Sequence, residues 1–119
     1  MKKLPKFLKT RRRNAEYLTK LISDLGVQLP DEPRDVRVNW YLYTIATSDR
    51  DKILRKLNRG GIGAAAYYSP PVHKNPFYKR SVRLSVTDWA SAHVLSLPVH
   101  PQVSTKDIEY IAKTMRGAL

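Results

Sequence analysis

Cysteine is absent from all 119 residues, which excludes disulfide bridges and thiolate metal sites. Histidine is scarce. His73, His93 and His100 stand at intervals of 20 and 7, which match no metal-ligand motif. No apolar run approaches the length of a membrane span, and the N-terminus lacks the greasy core of a signal peptide. The expectation is a soluble, cytoplasmic protein without membrane contact. There is no P-loop, and Gly60, Gly61 and Gly63 have the wrong spacing for a dinucleotide fingerprint and lead into a strand. No serine sits in a nucleophile elbow. The ten carboxylates mostly suit helix caps or charged loops, so a two-carboxylate hydrolase is not expected.

Positive charge is abundant, with a net +12. Such an excess ordinarily points to nucleic acid, but it is unevenly spread. Lys2, Lys3, Lys6, Lys9, Arg11, Arg12 and Arg13 precede the first acid, and without them the chain carries only about +5. A basic terminal segment suits a phosphate contact, an arm for an acidic partner or a solvated helix face.

The length fits one domain, able to bury roughly two-thirds of its unfolded surface without staples. Residues 4–25 carry a helical pattern. Pro5 is acceptable in the first turn, Leu18, Leu21, Ile22 and Leu25 form an inward stripe, and Gly26 is a stop. Leu4, Phe7 and Leu8 form a second apolar cluster beyond Arg11 and Arg12, as if that end of the helix packed on a partner. Pro30 to Pro33 is a loop. Residues 36–45 alternate and are β-branched and aromatic, so a strand is expected with Val36, Val38, Trp40, Leu42 and Thr44 on one face.

Ser48 and Asp51 read as a capping pair for a helix that turns Ile53, Leu54 and Leu57 inward and ends at Gly60. Residues 63–69 read as a second strand, so small in side chain (Ala64, Ala65, Ala66) that something must lie close over it. Thr87 suits the cap of a short helix through His93, and residues 94–99 read as a third strand closed by prolines. Ser104 with Asp107 makes a capping pair for a last helix with Ile108, Ile111, Ala112 and Met115 on its apolar face, ended by Gly117. The order α-β-α-β-α-β-α implies an α+β class: a small three-stranded, mostly antiparallel sheet with helices mainly on one face.

One stretch stands out for function. Gly61-Ile62-Gly63 leads through Tyr67-Tyr68-Ser69 to Pro70-Pro71-Val72-His73. The two prolines fix the backbone and offer no N–H, so the strand must end there. A backbone stiffened just before an imidazole suits an imidazole that must be placed. An ordinary loop with a surface histidine suits it equally well.

These residues resemble a segment of the DegT/DnrJ/EryC1/StrS aminotransferases. The likeness extends over nearly the whole chain. Arg11 to Leu18 resembles that family's arginine-rich linking helix, and Asn39 to Ile45 resembles one of its strands. Thr87-Asp88-Trp89-Ala90 and Leu95-Ser96-Leu97-Pro98-Val99-His100-Pro101 resemble a later run. The resemblance implies pyridoxal-phosphate-dependent enzymes of fold type I that aminate nucleotide-linked keto-sugars. It implies that residues 1–26 are a linking helix and 27–119 the core of the C-terminal small domain. By the same resemblance His73 faces cofactor and sugar, Tyr68 lines the same cleft, and Tyr67 and Tyr41 are expected to face it as well. Tyr41 and Tyr67 stand where the family commonly has histidine, Ser69 where it has proline, and Ala64 to Ala66 where it has more polar residues.

The domain that carries the Schiff-base lysine in that family has no counterpart in residues 1–119. The resemblance therefore implies that the chain alone binds no pyridoxal phosphate and carries out no transamination, and that the cofactor enters only with a cofactor domain supplied in trans. A separately encoded domain of that kind, or a second copy of the chain, is the expected partner; the other expectation on this resemblance is the remnant of a truncated gene. The alternative is a nucleic-acid-binding or regulatory module acting through Arg11, Arg12 and Arg13 of the basic helix. A third reading is a binder of anionic nucleotide-sugars through His73, Lys74, Lys79 and Arg80.

Overall fold

A computed structural model describes residues 2–78 and 82–119. The elements run α1 (Leu4–Ile22), β1 (Tyr43–Ala46), α2 (Arg50–Arg59), a 3-10 turn (Val72–Lys74), α3 (Ser85–His93), β2 (Val94–Leu97) and α4 (Thr105–Arg116).

The core forms where the expected periodicities meet. Ala15, Leu18 and Ile22 of α1, Ile53 and Leu57 of α2, and Ile108, Ile111 and Met115 of α4 are almost fully buried. They share one cluster with Tyr43, Ile45, Leu95 and Leu97 of the strands. Each of those strand pairs lies two residues apart and so on one face of its strand. α1 packs on α4, and α4 on α2. The Ser104–Asp107 capping box is present, with the serine hydroxyl accepting from Asp107 N at 3.2 Å and the aspartate accepting from Ser104 N at 2.8 Å. α3 contributes no buried residue.

The sheet departs from expectation. Among the described residues it has two strands, not three, paired antiparallel with Tyr43 opposite Leu97 and Ala46 opposite Val94. The expected strand at 63–69 is reduced to one bridge, Ala65 to Ser96, on the far side of β2. Two residues later the chain turns at Tyr67 and Tyr68, and the prolines that follow have no N–H for a ladder. Gln28 makes a corresponding single bridge to Ala46 on the outer side of β1. The order of elements is therefore α-β-α-α-β-α.

The expected strand at 36–45 survives only from Tyr43. The reason is local. Val38 N donates to Glu32 Oε1 at 2.7 Å, and Arg12 Nη2 donates to Val38 O at 3.0 Å. Side chains thus occupy the backbone groups a neighbouring strand would need. Trp40 then takes φ +53° and ends any extended run. Its ring is buried at 5.8 Å from that of Tyr43.

The helix starts also differ. Asp49, not Ser48, precedes α2, and α3 starts at Ser85 after Leu84, two residues before Thr87; neither has a side-chain cap. α1 stops at Ile22, and Gly26 turns the chain at φ +68°.

The Cα radius of gyration is 15.6 Å, against about 13.5 Å for a compact domain of this length. Large exposed apolar side chains include Leu4, Phe7 and Leu8 at the start of α1, Val36, Tyr41 and Leu42 before β1, and a series from Tyr67 to Tyr78 and from Val82 to Trp89.

Candidate functional site

The run from Tyr67 builds a hollow. After α2, Gly61 takes φ +76°, a conformation that favours glycine. Ile62 and Ala64 are then buried, and the small Ala65 lies against Ser96 with N–H···O bonds of 3.1 and 2.7 Å. The chain leaves the sheet at Tyr67 and returns as the 3-10 turn that holds His73. The space between this loop and α3 is about 510 Å³, lined by Tyr67, Tyr68, Pro71, Val72 and His73 on one side and Thr87, Ala90 and Ser91 on the other. Apolar and aromatic walls with a few polar atoms are the usual chemistry of a small-molecule site.

α3 holds the loop at two points. Ser91 Oγ donates to the Tyr68 carbonyl at 3.2 Å. Asp88 Oδ1 receives both His73 Nε2 at 3.1 Å and Lys74 Nζ at 2.7 Å. The Asp88 carboxyl lies below its ordinary range, chiefly because Lys74 bonds to it and secondarily because His73 is near. Asp88 entered the sequence reading only as one residue of a motif. It stands 15 residues from His73, a separation that no local periodicity connects.

His73, Tyr67 and Tyr68 are thus brought together, while Tyr41 is not among the residues lining the hollow. It lies under Arg11, whose guanidinium carbon is 5.5 Å from the ring centre. Arg12 forms a bidentate pair with Glu32 at 2.6 and 2.8 Å. That pair holds the Glu32 carboxyl down at about 2 and raises the Arg12 guanidinium. Arg13 donates to Asn14 Oδ1 at 3.1 Å, and Lys74 is paired with Asp88. Lys79 and Arg80 lie outside the described residues. A basic groove that went unnoticed in the sequence gathers Lys52, Arg55, Lys56, Arg59 and Lys113 between α2 and α4.

Pyridoxal phosphate requires a lysine for its carbonyl carbon and an acid for its pyridine nitrogen. Among the described residues lining the hollow there is no lysine, and the adjacent carboxylate, Asp88, already holds Lys74 and His73. The hollow by itself does not present that cofactor's donor set. Among the described residues no group of three or more metal-ligating side chains occurs, and no helix is long and apolar enough to cross a membrane.

Fold and hollow together define a small α+β domain that presents one apolar, imidazole-bearing wall. The chain belongs to the DegT/DnrJ/EryC1/StrS aminotransferase family, whose model matches residues 1–116. It is 31% identical over its whole length to dTDP-4-dehydro-2,3,6-trideoxy-D-glucose 4-aminotransferase of Saccharopolyspora spinosa, covering 32% of that enzyme. It is 30% identical to UDP-N-acetyl-3-dehydro-alpha-D-glucosamine 3-aminotransferase of Acidithiobacillus ferrooxidans, with 92% of this chain and 30% of the relative matched. The crystal structure of the aminotransferase TlmJ from Streptoalloteichus hindustanus superposes with a TM-score of 0.91 at 27% identity, over 98% of this chain and 33% of that one. The chain spans about a third of the length of these relatives.

Proposed function

We propose that residues 27–119 act as the small domain of a sugar-nucleotide aminotransferase, joined through the helix of residues 1–26 to a cofactor-binding body. In this reading Tyr67, Tyr68 and His73 form the wall that faces the sugar. The observation that carries it is the open hollow built by the glycine–proline–histidine loop, in a chain whose relatives of known activity aminate nucleotide-linked sugars. Aromatic faces suit the apolar face of a pyranose ring, and one imidazole supplies a directed polar contact. The body that completes the site brings the lysine and the pyridoxal phosphate, whose ring is the electron sink for amino transfer. The chain without that body transfers no amino group. The greasy start of α1, with Leu4, Phe7 and Leu8 exposed, is the surface this reading assigns to that body.

A polyanion-binding role through the N-terminal helix has less support. Arg12 and Arg13 are engaged within the chain, and the basic groove elsewhere places Lys56, Arg59 and Lys113 in last helical turns, where cations stabilise the helix dipole.

The test is a chimera in which residues 1–116 replace the matching third of the Saccharopolyspora spinosa relative. Amino transfer to a dTDP-keto-sugar is expected, and His73→Ala or Tyr68→Ala in the chimera should lower kcat/KM by about tenfold or more, ~1.4 kcal/mol of transition-state stabilisation. A folded chimera whose kcat/KM ignores both substitutions would refute the assignment of this wall.

A further inference from the structure

We propose that Asp88 is a positioning residue that fixes His73 with its ring proton on Nε2, so that Nδ1 is left as an acceptor and the wall takes a ligand group that donates, such as a hydroxyl or an ammonium. The identity of the ligand rests on the sugar-facing reading above; the tautomer does not.

The chemistry follows from what each atom can do. Asp88 Oδ1 receives His73 Nε2 at 3.1 Å and Lys74 Nζ at 2.7 Å. An ionised carboxylate only accepts, and an ammonium only donates. A neutral imidazole carries one donor and one acceptor, so the nitrogen facing the carboxylate must hold the proton. Lys74 secures the direction of this bond. A protonated Asp88 could donate to Nε2 and reverse the tautomer, but the ammonium on the same oxygen holds the carboxyl ionised. The pair is also shielded, with the side chains of His73 and Asp88 only 11% and 22% exposed. The loop does not depend on this contact alone, because Ser91 holds the Tyr68 carbonyl independently.

The chain contains its own counter-example. His93 Nδ1 lies 2.7 Å from the Trp89 carbonyl oxygen. A carbonyl cannot donate, so the neutral ring of His93 carries its proton on Nδ1. Two imidazoles on or beside one helix are thereby set in opposite tautomers, because opposite ring nitrogens face an acceptor.

The experiment is a long-range proton–nitrogen NMR spectrum of the imidazole rings of this chain, at a pH where they are neutral, with His73→Gln to assign the signals. Expected are Nε2–H for His73, with a ring proton protected from solvent exchange, and Nδ1–H for His93. Asp88→Ala should abolish the protected proton of His73 and leave His93 unchanged, which doubles as the check on folding. Asp88→Asn, which keeps a carbonyl acceptor, should restore it, and Lys74→Met should retain it. A wild-type His73 protonated on Nδ1, or a ring proton as well protected in Asp88→Ala as in wild type, overturns the proposal. The wild-type spectrum decides the tautomer even where a variant fails to fold. No ligand or cofactor is needed, so a failed chimera with the expected spectrum sinks only the sugar-facing reading, and the reverse outcome sinks only this one.

Discussion

Asn14 is the polar residue on which the packing of α1 against the segment after β2 depends. It is 2% exposed. Its amide nitrogen lies 3.0 Å from the Val103 carbonyl, 3.3 Å from that of His100 and 3.4 Å from that of Val99. Two amide protons meet three acceptors, so one proton serves Val103 and the other is shared by the two longer contacts. Asn14→Ala removes both donors and leaves at least two inward carbonyls without partners. Each such group costs about 1–3 kcal/mol, and a water entering the small space would recover part of that, so a loss of ~2–3 kcal/mol is expected. At this chain length that is roughly 8–12 °C in Tm, measured by far-ultraviolet circular dichroism on the two proteins side by side. Asn14→Asp has the same size but aims acceptors at acceptors, and should cost at least as much at neutral pH although Arg13 is near. A Tm loss under about 2 °C for Asn14→Ala, or an Asn14→Asp protein as stable as wild type at pH 7, would refute the bonding described.

Two further predictions concern stability. The Glu32 carboxyl is held at about 2 instead of 4.5, chiefly by its bonds to Arg12 and next by Val38 N. A depressed carboxyl contributes stability that is complete above its unfolded value and is lost as pH falls through the folded one. Wild type should therefore lose stability between pH 4.5 and about 2, and Glu32→Gln should flatten that part of the profile in acid denaturation; superimposable profiles would show the pair to be idle. Ile108→Ala opens a cavity at a fully buried position of α4, in the core it shares with α1 and α2. It should cost about 2–5 kcal/mol in urea unfolding with an unchanged m-value, and a cost below about 1 kcal/mol would mean that the core closes over the gap.

Where the sequence was legible, neighbours in sequence are neighbours in space. The faces of α1, α2 and α4 obey the helical period because their burial is set within each helix, and the Ser104–Asp107 box is complete within four residues. Residues 36–42 look like a strand for the same local reasons, but the N–H and carbonyl of Val38 are claimed by Glu32 and Arg12, and Arg12 lies 26 residues from Val38. No alternation pattern registers that. The stretch 63–69 has strand composition, yet its pairing depends on where β2 runs, and only Ala65 meets it. At the site, Tyr68 and His73 stand five residues apart in one stretch of sequence, while the partnership of His73 with Asp88 depends on how α3 docks. The basic groove was missed because its cations come from residues 52–59 and 113, which join only when α2 packs on α4.

The division of labour between the two halves of the chain bears on what the hollow is for. α1, α2, α4 and the strands fill one core with side chains at or near zero exposure. That cluster includes no residue of α3, which buries none, or of the loop it holds. The loop and α3 are kept in place by directed polar contacts instead: Asp88 to His73 and Lys74, Ser91 to the Tyr68 carbonyl, and the Thr47 N–H to the His93 carbonyl at 3.0 Å. Meanwhile Tyr68, Phe77 and Val86 stay 77%, 85% and 79% exposed. A segment that existed to stabilise the domain would bury those side chains, since burying each is worth about 1.5–3 kcal/mol. On the small-domain reading proposed above, these side chains stay open because a second body supplies the opposite side of the wall, and the polar contacts behind them fix its shape.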